Sequence, residues 1–137
     1  MTGSDLYITK QDHVRLCKLI SEPASGQVRT ADLRKFAEEL SGMKIVDQLE
    51  VDAAVVTMYS RVRVMDICTK ESLAVMLVLP EEADLNLGKL SVVTPLGTAL
   101  LGRSAGDVFE WRSSSGLRRL LIKEVCYQPE AAGNYNL

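Results

Sequence analysis

The sequence predicts an α+β protein: a short N-terminal antiparallel helical hairpin followed by an antiparallel or mixed sheet carrying one short helix. Three observations predict it. Apolar residues recur at helical spacing up to residue 41 and switch to a two-residue period after residue 60. Between the strand-like runs, Thr94-Pro95 opens a short segment with one apolar face. At 137 residues, 47% hydrophobic and 25% charged, the chain has room for one such domain with an appendage.

In the first helix Thr9 is the expected N-cap, with Asp12 in a weak capping-box position. Val14, Leu16, Cys17 and Ile20 supply the apolar stripe, which stops at Ser21-Glu22-Pro23. Thr30 starts the second helix, where Leu33, Phe36, Ala37 and Leu40 share one face. Ser41-Gly42 ends it, Gly42 being suited to a left-handed cap. The hairpin therefore occupies 1–45, joined by the loop Pro23 to Arg29, with its tip in Ser21 to Arg29. Asp47, Glu50 and Asp52 mark an acidic connector over 46–52, and residues 53–137 form the sheet domain.

In that domain Val55 to Met58 reads as a strand, and Arg61 to Val64 as a half-buried one. Leu73 to Leu79 reads as a central strand covered on both faces, reached through a turn at Thr69 to Ser72. Pro80 to Asp84 is an acidic loop and Leu90 to Val93 another strand. Leu96, Ala99 and Leu100 form the buried face of the short helix, which Gly102 ends. Val108 to Trp111 and Leu117 to Tyr127 flank a Ser-Ser-Ser-Gly turn as a final hairpin.

Composition removes most chemistries. Three cysteines, Cys17, Cys68 and Cys126, have no zinc-ligand or redox spacing, and read as small side chains partly or wholly buried. The single histidine, His13, excludes a two-histidine metal site and reads as an exposed helical residue. It lies one turn from Cys17 with no orienting acid. No glycine-rich phosphate loop is present. The expectation is a protein with no catalytic residues, metal or cofactor of its own. The longest wholly apolar run is seven residues, and no secretory signal is visible, so a cytoplasmic protein without a membrane partner is expected. Arg61, Arg63, Arg112, Arg118, Arg119 and Lys123 make a local basic group. With seven aromatics in the chain and a net charge of −2, little direct nucleic-acid binding is expected.

The run Ser91 to Gly102, with Thr94-Pro95-Leu96-Gly97 and Ala99-Leu100-Leu101-Gly102, followed by Gly106-Asp107, resembles the C-terminal domain of Gre-type transcription elongation factors. Val55 to Val62 is similar to the start of that domain. Tyr127 to Gly133 is similar to one branch, the regulators of nucleoside diphosphate kinase. The resemblance covers nearly the whole chain, strongest from Val55 to Gly133. It implies an FKBP-like topology for the sheet domain and a coiled coil for the hairpin. It also implies docking on RNA polymerase, at the large-subunit coiled coil on the rim of the secondary channel. The residues expected to make that contact are Thr94, Pro95, Leu96, Gly97 and Asp107. DNA binding comes with the resemblance only as a weak family-level property.

In cleavage factors of this family, acidic residues at the hairpin tip help hold a magnesium ion at the polymerase's own centre. That task needs carboxylate oxygens, because Mg²⁺ is a hard cation. Here the tip carries one acid, Glu22, best read as a solvated residue ending a helix. The expectation is a monomeric, polymerase-bound regulator that competes with cleavage factors and is not itself an enzyme. The alternative is a cleavage-stimulating factor acting through Glu22. A third possibility, prolyl isomerase activity on an FKBP-like fold, would need an aromatic-lined pocket, for which Phe109, Trp111 and Tyr127 are thin material. The charge divides into +1 on 1–45 and −3 on 46–137, and an acidic docking domain suits a protein partner.

Overall fold

The computed structural model describes residues 6–21, 30–113 and 116–134. It has the α+β organisation expected. Strand β1 (Tyr7–Thr9) leads directly into helix α1 (Lys10–Ser21), and α2 (Thr30–Ser41) leads into β2 (Lys44–Val46). Five strands then form one sheet: β3 (Arg61–Asp66), β4 (Ser72–Val78), β5 (Lys89–Ser91), β6 (Val108–Ser113) and β7 (Gly116–Tyr127). Their order is β5-β4-β3-β7-β6, antiparallel except where β5 runs parallel to β4. Helix α3 (Pro95–Leu100) joins β5 to β6.

Thr9 caps α1, its Oγ1 accepting from the Asp12 N–H at 3.1 Å. The Asp12 carboxylate stays beside the Thr9 side chain and also reaches across the molecule. It accepts from the Met58 N–H at 3.0 Å, tying α1 to the segment before β3. The buried face of α1 accordingly runs through Asp12 and Leu16, while Val14 is 70% exposed, against the stripe expected from spacing. On α2, Phe36 and Leu40 are buried as expected. Gly42 is not in the left-handed region. The helix closes instead through the Gly42 N–H on Glu39 O and the Met43 N–H on Leu40 O, a tightening of the last turn that any residue can make. Pro23 to Arg29 and Glu22 lie outside the described residues.

Beside the two helices is a feature that periodicity could not reveal. Strands β1 and β2 pair in parallel over three residues each, within the expected hairpin and at the first position of the connector, Val46. The acids beyond it cap turns: Asp47 accepts from the Leu49 N–H, and Asp52 from the Ala54 N–H.

Val55 to Met58 is buried but is not a strand. Its polar groups are paired one by one. The Val56 N–H donates to Arg103 O, Gln128 Nε2 donates to Val55 O, and the Thr57 N–H donates to Ser60 Oγ. Complete burial produced the strand-like apolar run, and side-chain and loop partners took the place of a ladder. The turn between β3 and β4 is organised by Asp66, which accepts from the N–H groups of Cys68 and Thr69. Leu73 to Leu79 is not covered on both faces: β3 holds the centre of the sheet, and Leu73 is 54% exposed. The β6–β7 hairpin has the expected antiparallel register, Trp111 opposite Arg118.

One core cluster spans both parts of the chain. Ile8, Leu16, Phe36 and Leu40 pack in the same cluster as Val62, Val64, Leu77, Leu100 and Ile122. No helix among the described residues is long and apolar enough to cross a membrane.

Candidate docking site

The start of α3 is built by local hydrogen bonding. Thr94 Oγ1 accepts from the Gly97 N–H at 3.1 Å and donates to Ser91 O at 2.8 Å. Pro95 takes the first helical position, where its missing N–H costs nothing. One turn later Thr98 Oγ1 donates to Val92 O at 3.0 Å, fastening the helix to the chain leaving β5. Gly97 is needed for a second reason. A Cβ there would lie 2.3 Å from Ser91 O and 2.9 Å from Val92 Cα, so no side chain fits between helix and strand.

The five residues expected to make the polymerase contact divide by exposure. Pro95 is exposed and Thr94 half-buried, while Leu96 and Gly97 are buried. Asp107 lies beyond the other end of α3. Its Oδ2 accepts from the Ser104 N–H at 2.9 Å, and its charge acts on Arg103. Arg103 in turn donates from Nε to Ala99 O and stacks on the Phe109 ring at 4.8 Å. Burial lowers its pKa, and Asp107 opposes that shift.

Next to the start of α3 the inner face of the sheet stays open. A groove of about 440 Å³ is lined by Leu73, Leu85, Leu90, Thr94, Leu96 and Trp111. A second hollow, of about 200 Å³, adjoins it around Leu73, Leu96 and Trp111. Leu85 is 74% exposed on the loop after β4. The Trp111 Nε1 is buried with no hydrogen-bond partner among the described residues. Thr94 and Leu96 thus belong to a larger apolar surface than the motif alone indicated. Two signals for it were present in the sequence. Trp111 sits two residues from Phe109, hence on the same face of β6, and Leu85 and Leu87 directly follow the acidic loop.

The other candidates do not assemble into a reactive centre. His13 is half-buried, with its ring nitrogens 3.7 and 3.8 Å from Cys17 Sγ. Cys68 and Cys126 are exposed, where burial was expected, because one sits in the β3–β4 turn and the other at a bulge in β7. The three aromatics do not line one pocket: Phe109 lies under Arg103, and Tyr127 reaches Asn134. No cluster of three or more potential metal ligands occurs among the described residues.

A cluster that sequence reading missed joins α1 to the chain before β3. Asp12 is 3% exposed; burial lifts its pKa from 3.8 to about 6, against the lowering effect of the Met58 N–H. Arg15 lies 3.8 Å from this carboxylate and over the Tyr59 ring. Burial and the hydrogen bond to Glu82 both raise the Tyr59 pKa. Thr57 donates to Glu130 at 2.8 Å, bringing the C-terminal turn into the cluster.

Comparison with known proteins adds a second line. The family model described as "Transcription elongation factor, GreA/GreB, C-term" matches residues 39–127. The regulator of nucleoside diphosphate kinase of Escherichia coli (strain K12) is 34% identical over 138 aligned positions, covering all of both chains. Transcription elongation factor GreA of Flavobacterium psychrophilum is 29% identical over 93 residues, 68% of this chain and 59% of that one. A solved prokaryotic transcription elongation factor GreA/GreB from Nitrosomonas europaea matches with a TM-score of 0.73 and 33% identity, over 90% of this chain and 99% of its own.

Proposed function

The chain belongs to the GreA/GreB transcription elongation factor family, and from that premise we propose that it is an RNA polymerase-binding regulator that docks at the secondary channel and competes with Gre cleavage factors without stimulating cleavage. One observation carries this reading: an open surface that suits docking is joined to short helices. The surface is the capped start of α3 with the apolar groove beside it. The helices α1 and α2 have 12 residues each, which at about 1.5 Å per residue is a reach of roughly 18 Å. A channel-spanning coiled coil needs more than twice that.

In this reading residues 1–45 are a short coiled-coil arm, 46–52 its connector, and 53–137 an FKBP-like docking domain. The protein works as a cytoplasmic monomer, and the large-subunit coiled coil at the channel rim seats against Thr94, Pro95 and the groove. An apolar groove beside a rigid capped turn suits such a partner, because burial of Leu73, Leu85 and Trp111 supplies affinity while the turn fixes orientation.

The test is displacement of a labelled cleavage factor from core RNA polymerase. Wild-type protein is expected to displace it at micromolar concentration, and Pro95→Ala and Leu73→Asp each to need at least tenfold more protein. Absence of association with polymerase at micromolar concentration would overturn the proposal.

A further inference from the structure

The outer face of the sheet, opposite the core and the groove, has a pattern that docking at α3 does not use. Val62, Val64, Leu120 and Ile122 point into the core, so their neighbours along β3 and β7 point outward. Strand register sorts the outward residues into rows. One row crosses four strands, from Ser72 through Met65 and Leu121 to Val108. On one side of it lie Arg63, opposite Ala74 and Glu124, and then Arg61, opposite Met76. Lys123 is the extra residue where the β3–β7 register shifts, and it is exposed on this side. On the other side lie Arg119, opposite Glu110, and Arg112, opposite Leu117. The row, apolar from Met65 to Val108, is therefore flanked by cations on both edges, with Arg63 paired to Glu124 at 3.3 Å, in a chain whose net charge is −2. Arg118, grouped with these residues by sequence, is engaged elsewhere, 3.4 Å from Asp66.

We propose that this face is a second docking surface, and that its partner is an acidic amphipathic helix of another protein. The dimensions fit. The apolar part of the row, Met65 to Val108, covers two strand spacings of about 4.8 Å, about 10 Å in all. That is the axial distance from i to i+7 in a helix, whose i, i+3 and i+7 side chains would meet Met65, Leu121 and Val108. Thioether and aliphatic side chains adapt to such a helix. Acidic residues on its flanks would meet Arg61 and Lys123 on one side, and Arg112 and Arg119 on the other. A nucleic-acid strand fits less well: the row is aliphatic and thioether, and Tyr127, opposite Arg61, puts a ring only at the edge of this face, too little for stacking successive bases. The surface is independent of the α3 site, and Pro95→Ala leaves it intact.

The test uses the whole chain, ¹⁵N-labelled, and three probes. These are a synthetic 18-residue helical peptide with leucines at i, i+3 and i+7 and glutamates on both flanks, a scrambled peptide of the same composition, and a 20-nucleotide oligo-dT. The helical peptide is expected to shift amide signals of β3, β6 and β7, and the scrambled peptide to bind at least tenfold more weakly. Leu121→Glu and the double substitution Arg61→Glu/Arg112→Glu are each expected to reduce helical-peptide binding at least tenfold, with the remaining spectrum confirming that they fold. Equal binding of the scrambled peptide, equal or tighter binding of oligo-dT, or shifts confined to the α3 groove would each overturn the proposal.

Discussion

Two helices in this protein start on a threonine cap, and the chain puts the two starts to opposite uses. At α1 the cap is completely buried. The Asp12 carboxylate three residues on also holds the Met58 N–H, so the helix start becomes an internal seam. At α3 the cap is half-exposed, the next residue is an exposed proline, and the groove opens beside it. The same local device thus closes the molecule at one place and presents a surface at the other. The residues just after the cap decide between the two: a carboxylate with a distant backbone partner, or a proline and then a glycine that lets the helix sit hard against β5. The comparison can be broken at either end.

The largest effect is expected at Gly97. Gly97→Ala drives a Cβ into the Ser91 carbonyl and the Val92 backbone, neither of which is a flexible side-chain end. Separating α3 from β5 should cost about 3 kcal/mol, the upper part of the range for overpacking. Urea unfolding would show this as a lower midpoint at unchanged slope. A variant as stable as the wild type would mean that the helix start is not held by this contact.

At the seam the expected signature is pH dependence. The folded-state pKa of Asp12, about 6, lies above its ordinary value of 3.8, so the folded protein binds the proton more tightly than the unfolded chain. Stability from this group is therefore full below about pH 4, falls as pH rises towards 6, and is flat above. The difference is on the order of 2–3 kcal/mol. Asp12→Asn keeps an acceptor for the Met58 N–H and removes the titration. Its unfolding midpoint should change less than that of the wild type between pH 4 and 7, and at pH 7.5 it should be at least as stable. An unchanged pH profile would place the source of the dependence elsewhere.

The range of each interaction set how much of this was legible in the sequence. Both threonine caps, the α2 face, the α3 start and the β6–β7 hairpin are set by residues within a few positions of one another, and periodicity and cap chemistry found them. The β1–β2 pair was illegible because three-residue strands carry too little pattern to stand out. Val55 to Met58 misled because burial makes a buried irregular segment look like a strand, and its hydrogen-bond partners, Arg103 and Gln128, are distant in sequence. The Thr94 to Gly97 motif lies beside an apolar groove, but its spacing could not show that Leu96 and Gly97 are buried, or that Leu73 and Leu85 line the groove with it. Asp12 was visible only as a capping residue, since its partner is 46 positions away.

The smallest effects are the most discriminating, because they separate the two caps by coupling rather than by size. Thr9→Ala and Thr94→Ala should each cost about 1 kcal/mol, as lost N-caps typically do. The two caps then differ in how they combine with Asp12→Asn. Thr9 and Asp12 belong to one hydrogen-bonded cluster, so their double substitution should depart from additivity by about 0.5–1 kcal/mol. The Thr94 side chain bonds to Ser91 and Gly97 and shares no hydrogen-bond partner with that cluster, so its combination with Asp12→Asn should add within about 0.3–0.5 kcal/mol. Chemical denaturation of the two double-mutant cycles at pH 7.5 measures both quantities. Equal coupling in the two cycles would mean that the seam and the start of α3 are one cooperative unit, and the contrast between the two helix starts would then be one of exposure alone.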